Sequence, residues 1–364
     1  MVEIFALEAL NAAHGDALLL HYGQRHQPKV ILIDGGPGGV YQSAIRPRFD
    51  QLADERRVRP LQIEHVVVSH TDDDHIAGIL EFLQDRDDPP AECRQYWLNT
   101  FDEPKTASLR MPTQISGGGH LSDRSPADAR LLRSVPQGKL LRDLIRTRSF
   151  CINGGAAQLV AGPGGTRLEL DPSLSVTLVG PTPEQLRRLE KEWRTAPDSD
   201  LLQRGYLDSS IFNLSSLVMV VEALDASGRA RRMLLCGDAR ADHILEGLRN
   251  AGYLDSVGRV HFDLLKVAHH GSDRNHTAGF FQSVTADHYV ISADGRYGNP
   301  SAAVLVWIGQ AAGAGYKIWL TTRRNTSLPQ RDSGIAAALA TMPSLFDHIM
   351  FRADGELSVI VGLV

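Results

Sequence analysis

The sequence predicts a mixed α/β (α+β) fold built on two β-sheets, not a single doubly wound one. Three observations lead there. Short apolar, strand-like runs crowd both ends of the chain and outnumber the helical stretches. Most of those runs end in Asp, His or Gly, as strands do where α/β folds place their sites. A stretch rich in glycine and charge, 85–205, separates the two ordered ends.

In chain order, residues 16–22 (DALLLHY) and 29–34 (KVILID) are apolar runs bounded by glycines, with a hairpin turn between them, so the first 35 residues read as two strands. Residues 40–58 have helical spacing. IEHVVVSH, residues 63–70, is a continuous β-branched run suited to a strand buried on both faces. The polar burst TDDDH follows, and then IAGILEFLQ with helical spacing. That order puts the polar loop at the carboxyl end of a strand. The stretch 85–205 carries charged helical segments at 127–148 and 183–194 and one strand-like run at 175–181. It reads as an elaboration inserted into a single domain spanning 1–364, either a lid or substrate wall or a surface feature alone. Strand-like runs return at 214–224, 231–239, 261–270, 287–295 and 317–321, with helices expected at 240–251 and 301–313. The chain then closes in a hairpin around Asp354-Gly355.

Composition narrows the function. Of 364 residues, 43% are hydrophobic and 22% charged, which predicts a sizeable core. A net charge of −5 argues against coating nucleic acid through bulk positive charge, although bound cations can create a local basic groove. Cys93, Cys151 and Cys236 are odd in number and far apart, which fits neither a disulfide framework nor a zinc ribbon. Glu3 and Glu8 interrupt the apolar N-terminus, and no run reaches the roughly 20 residues of a membrane span, so a soluble, cytoplasmic protein is expected.

The chemistry lies in ligand-type residues that follow apolar strands: His14-Gly15-Asp16, Asp34-Gly35-Gly36, His70 to His75, Gly237-Asp238 and His269-His270-Gly271-Ser272. Imidazole and carboxylate together suit a divalent metal. Alternate residues of an extended segment share a side, so His70 and Asp72 can share one ion while Asp74 and His75 face a second. Asp238 is typed to bridge the pair and His269 to close the second site. The expected metal ligands are therefore His70, Asp72, Asp74, His75, Asp238 and His269, and the expected catalytic residues are Asp74 and His270. His269 is preferred as the ligand because it lies nearer the strand end, leaving His270 to donate a proton or to contact an anionic oxygen. A calcium loop starting at Asp72 would need Glu at its twelfth position, where Leu83 stands. A helix N-cap explains one of the three aspartates. Asp34 either holds a ligand histidine by a hydrogen bond or only shapes a turn. His14, His21 and Asp16 read as ordinary residues.

Taken together, the series HGD, ILIDGG, VVVSHTDDDHIAGI, NLSSLVMVV, LLCGDA, DLLKVAHHGS and ISADGRYGNP resembles metallo-β-lactamase-fold hydrolases. Within them it looks most like the nuclease-like domain of ComEC-type competence (DNA-uptake) proteins. The likeness covers 1–85 and 205–325. It implies an αββα four-layer sandwich and a centre of one or two divalent ions, Zn²⁺ or Mn²⁺ with Mg²⁺ also suited, that activates a hydroxide. The family's HxHxDH pattern stands here as HxDxDH, with Asp72 in place of a histidine, and a carboxylate there shifts preference from zinc towards manganese or magnesium. The family's third-motif histidine is absent, Asn213 or Ser209 being the nearest polar substitute, and Asn299 stands where the competence branch has a histidine.

The expected activity is phosphodiester hydrolysis by a metallo-hydrolase, on a phosphate-containing substrate such as DNA or RNA, with Arg142, Arg146 and Arg148 either gripping phosphates or forming a solvated helix face. Two alternatives stay open: hydrolysis of a small ester, thioester, lactone or nucleotide, and a catalytically idle effector controlled by a partner. The sequence names no protein partner.

Overall fold

Side-chain alternation decides where each strand sits. On the second strand Leu18, Leu20 and Tyr22 enter one apolar cluster and Leu19 enters another. On the eleventh, Met219, Val221 and Ala223 part in the same way from Val218 and Val220. Such strands are apolar on both faces and need a covering layer on each side.

The computed structural model describes residues 1–101, 126–195, 213, 215–322 and 329–364. In chain order the elements are β1 (Ile4–Leu10), β2 (Leu18–Gln24), β3 (Gln27–Ile33), α1 (Arg46–Arg56), β4 (Leu61–Gln62), β5 (His65–Val67), α2 (Asp73–Gln84), β6 (Ala91–Glu92), β7 (Gln95–Trp97), α3 (Pro126–Thr147), β8 (Cys151–Ile152), β9 (Thr166–Asp171), β10 (Leu174–Gly180) and α4 (Pro183–Thr195). There follow β11 (Val218–Leu224), β12 (Ala230–Leu235), α5 (Ala241–Asn250), β13 (Val260–Lys266), α6 (Ala278–Ser283), β14 (Val284–Ile291), α7 (Ala302–Ala311), β15 (Lys317–Leu320), α8 (Ser333–Thr341), β16 (Ile349–Phe351) and β17 (Ser358–Gly362).

One sheet runs β17-β1-β2-β3-β5-β7-β8 and the other β16-β15-β14-β13-β12-β11-β10-β9, with β4 and β6 forming a small separate pair. Three apolar clusters fill the three gaps of a four-layer sandwich. Phe49, Ile79 and Leu141 of the first helical layer pack on Leu19, Leu32 and Val66. Leu20, Ile31 and Val67 meet Leu178, Met219 and Leu264 between the sheets. Ile244, Phe281 and Leu305 cover the far face of the second sheet against Phe262 and Leu265. The two-sheet α/β expectation is met.

Three local readings change. The first 35 residues hold three strands, because β1 is a strand whose Glu8 is fully buried; its carboxylate accepts hydrogen bonds from His21 Nε2 at 2.7 Å, Arg48 Nε at 2.7 Å and Ser358 Oγ at 2.5 Å. The chain does not close in a hairpin: β16 pairs parallel with β15, whereas β17 crosses to pair antiparallel with β1. Within 85–205, β7 and β8 are built into the first sheet and β9 and β10 into the second, so parts of the expected insertion are framework. The rest of that stretch, 102–125 and 196–205, lies outside the described residues, as does Ser209. Among the described residues no helix is long and apolar enough to cross a membrane, and the three cysteines are free.

The sheets are bolted together at one end. Buried Lys266, at the end of β13, donates to Asp16 Oδ2 at 2.7 Å, and Ser292 Oγ donates to the carbonyl of Gly15 at 2.6 Å.

Candidate metal centre

The first sheet delivers its share through one turn. β5 ends at Val67, the chain bends at Ser69 and reaches Asp72 in an extended conformation, and α2 begins at Asp73. Asp72 occupies the N-cap position without a side-chain capping bond; its Oδ2 lies 3.7 Å from His70 Nε2 instead. Asp73 and Asp74 sit in the first helical turn, where the helix dipole favours negative charge. Close packing holds this turn against neighbouring loops. A Cβ on Gly15 would stand 2.0 Å from the carbonyl oxygen of Asp74, and one on Gly78 2.0 Å from that of Gly35. Asp34, at the end of β3 with a left-handed φ of 59°, braces the turn from behind. Its Oδ1 accepts from Ser69 N at 2.7 Å, and its Oδ2 from Ser69 Oγ at 2.6 Å and from His75 Nδ1 at 2.8 Å. This is the holding role weighed for it above.

The second sheet contributes from two strand ends. After β12, Gly237 turns with φ 50° and presents Asp238, whose backbone N–H reaches Ser216 Oγ at 3.2 Å. After β13, His269 and His270 are both left-handed, with φ of 46° and 55°. Two adjacent non-glycine residues in that region cost of order 1–3 kcal/mol each, and the effect is to send their rings apart, 81° between planes and 5.9 Å between centroids.

All four histidines present the same nitrogen. His70 Nδ1 lies 3.0 Å from Ser69 Oγ, His75 Nδ1 2.8 Å from Asp34 Oδ2, His269 Nδ1 2.6 Å from Asn275 Oδ1, and His270 Nδ1 3.0 Å from the carbonyl of Ser292. Anchoring Nδ1 as donor leaves the Nε2 lone pair pointing inward. Around Asp238, Nε2 of His75 lies 3.3 Å from Oδ1, while Nε2 of His70, His269 and His270 lie 3.9, 3.7 and 3.8 Å from Oδ2. His270 Nε2 is also 3.7 Å from Asp74 Oδ2. Ligand atoms of Asp74, His75 and His270 fall within 4.8 Å of one another, as do those of His70, His75 and Asp238, and of Asp16, Asp238 and His270.

Charge inside the cluster is finely balanced. Burial alone would raise the Asp238 carboxyl, yet His269, His75 and His270 hold it well below its ordinary value. Burial likewise opposes charge on His75, yet Asp238 and Asp34 hold it well above the usual imidazole range; His270 is raised by Asp238 and Asp16 against the same opposition. Asp16, fully buried, is held down by Lys266 and His270.

A divalent cation suits these residues. The buried Nε2 atoms of His70, His75 and His270 and Oδ1 of Asp238 have no hydrogen-bond partner. Native proteins rarely leave such atoms unpaired, and they are the nitrogen and carboxylate donors that zinc and manganese accept.

Residues 23–137 match the model of the metallo-beta-lactamase superfamily. The fold is of the metallo-β-lactamase type. A search of curated proteins finds no match. The superfamily match and the His/Asp cluster together point to a metal-dependent hydrolase.

The structure brings His70, Asp72, Asp74, His75, Asp238, His269 and His270 to one centre. Asn213, considered as a substitute for the missing histidine, has its Nδ2 3.4 Å from His269 Nδ1, on the far side of that ring from Nε2. Arg142 does not form a solvated face: it is buried and donates to the carbonyl of Phe101. Arg148 donates to the carbonyl of Leu83. Four supporting residues escaped the sequence reading: Asp16, read as ordinary, and Lys266, Asn275 and Ser292. Lys266 carried a usable signal, since a lone lysine inside an apolar strand is a buried charge that needs a partner.

Proposed function

We propose that this chain hydrolyses phosphodiesters at a divalent-cation centre held by His70, Asp72, Asp74, His75, Asp238 and the His269–His270 pair. The observation that carries the reading is the common orientation of the four imidazoles, each tied at Nδ1 and open at Nε2 towards Asp238. When bound, the metal supplies Lewis acidity and lowers the pKa of water towards neutrality.

Carboxylates supply three of the donors, Asp72, Asp74 and Asp238, which favours hard ions such as Mn²⁺ or Mg²⁺ beside Zn²⁺ and suits an anionic phosphoryl group. Asp74 orients the attacking water and takes its proton. His270 fits ligation better than proton donation, because its Nδ1 is committed to Ser292 and its Nε2 is buried among carboxylates. Two residues before Asp16 in the chain, His14 has Arg296 3.4 Å from its Nδ1 and Tyr297 edge-on at 5.3 Å. A cation and an aromatic face there suit a phosphate and a base. The likeness of the motif series to the nuclease-like domain of competence proteins supports the same substrate class.

The test is to strip the protein, reload it with Mn²⁺, Mg²⁺ or Zn²⁺, and assay bis(p-nitrophenyl) phosphate, plasmid DNA and RNA beside a p-nitrophenyl ester and a lactone. Metal-dependent cleavage of the phosphodiesters, absent in Asp238→Ala, is expected. Cleavage of the ester or lactone alone would transfer the reading to a small-ester hydrolase, and absence of bound metal would end it.

A further inference from the structure

We infer that β17 is a docking edge on which a second copy of this chain lays its own β17, antiparallel and about a two-fold axis at Ile360, so that two first sheets become one. The inference is independent of the metal-centre reading.

Each main sheet ends in two edge strands, and three of these four edges are guarded. β8 is two residues long and β16 three. β9 has six residues, but its exposed positions are Arg167 and Glu169, paired at 2.7 Å, with Arg167 also 3.1 Å from Glu222. Shortness and charge are the means by which sheet edges resist pairing with another chain. β17 has neither. It is five residues long, and from Leu357 to Val364 the sequence carries no charge and no proline.

Hydrogen bonding decides which groups of β17 are on offer. Leu363 N donates to the carbonyl of Phe5, and Asn11 N to that of Leu357, so the odd-numbered residues turn their backbone groups towards β1. Ser358, Ile360 and Gly362 turn theirs away from it, and among the described residues no backbone bond reaches them. Side chains alternate with the same period. Val359 and Val361 are buried between the sheets, whereas Ile360 is 51% and Val364 39% exposed. Ile360 lies opposite Glu8, on the face that α1 covers with Arg48 only as far as β1. Beyond its chain neighbours, a Cβ on Gly362 would meet nothing nearer than the carbonyl oxygen of Val364 at 4.0 Å. The edge is open.

The same features choose the occupant. A strand that pairs with its own copy sets the residue on the axis against its twin, and like charges placed opposite each other repel. An uncharged β17 has no such repulsion, and no charge by which to select a different chain. Centred on Ile360, the pairing sets Ile360 against Ile360 and Ser358 against Gly362. Every outward-facing residue then meets another, with two N–H to O=C bonds for each pair. Assembly stops at two copies, because the other edge of that sheet is the two-residue β8. Five residues a side is well short of the roughly 20–30 of a standard interface, so the dimer is weak and follows concentration.

The experiment is sedimentation equilibrium of the full chain over a concentration series. Wild type is expected to pass from monomer towards twice the monomer mass. Ile360→Lys and Ile360→Glu, each alone, put like charges on the axis and should stay monomeric. An equimolar mixture of the two should dimerise again, since Lys then faces Glu; rescue by mixing also shows that both variants are folded. Met350→Lys, the same charge on the edge strand β16, should leave the wild-type association unchanged. In wild type, amide exchange at Ser358, Ile360 and Gly362 should slow as concentration rises while that at Val359 and Val361 does not change, a readout that needs no variant.

A monomer at every concentration would overturn the inference, and so would a dimer that persists in both Ile360 variants. Oligomers larger than two would overturn the closed two-fold pairing. Loss of the dimer in both variants without recovery on mixing, with exchange at the three outward amides independent of concentration, would do the same.

Discussion

The two sheets contribute to the centre in different ways. The first sheet sends four side chains, His70, Asp72, Asp74 and His75, through one six-residue turn braced by Asp34 and the start of α2. The second sends Asp238, His269 and His270 from two separate strand ends, on backbone that is left-handed at three positions. One half is local and braced by a helix. The other is assembled across the fold and held by residues distant in sequence, such as Lys266 on Asp16. Perturbations of the second half should therefore spread further through the molecule.

The severest break is Asp238→Ala. It removes the residue every imidazole faces, so metal uptake and hydrolysis should fall to background, read by elemental analysis and a phosphodiester assay. Next is Lys266→Met, which leaves the Asp16 carboxylate buried without its ammonium partner. A loss of about 3–5 kcal/mol in urea unfolding is expected, largely recovered in the Lys266→Met/Asp16→Asn double variant. An equal loss in the double variant would show that the pair is not what binds the halves.

Asp34→Asn sharpens the contrast from the other side. Only the hold on His75 and Ser69 changes, so metal affinity should drop about 10–100-fold while unfolding shifts less than in Lys266→Met. The last effect is one of pH. Burial pushes His65, on β5, down to about 4 from its ordinary 6.5. Between those values the unfolded chain binds a proton that the native chain refuses, so stability is full above 6.5 and falls as pH drops towards 4. His65→Leu should flatten that limb in urea titrations across the window.

Legibility follows the same divide. The 70–75 turn could be read because its four ligand-type residues fall within six positions, bounded by an apolar strand and a helix of clear period. The strand-end residues Asp238, His269 and His270 could be read as types, but not the divergent directions of the two adjacent rings, which depend on backbone φ. Asp16 was passed over because nothing in HGD announces that a lysine 250 positions later will meet it. Strand β1 was missed because Glu8 breaks its apolar pattern, and Glu8 is tolerated only because His21, Arg48 and Ser358 converge on it. The final hairpin was misjudged for a related reason: turn residues reveal a reversal but not which sheet the returning strand will join.

The bolts behind the centre are made of protein alone. Lys266 with Asp16, and Ser292 with Gly15, join the two halves through ammonium, carboxylate, hydroxyl and carbonyl groups that no chelator extracts. In the small domains for which metal is the core, removing the ion unfolds the chain. Here EDTA should remove the ion and leave the architecture standing, a metal-free chain keeping its circular dichroism and its cooperative urea transition.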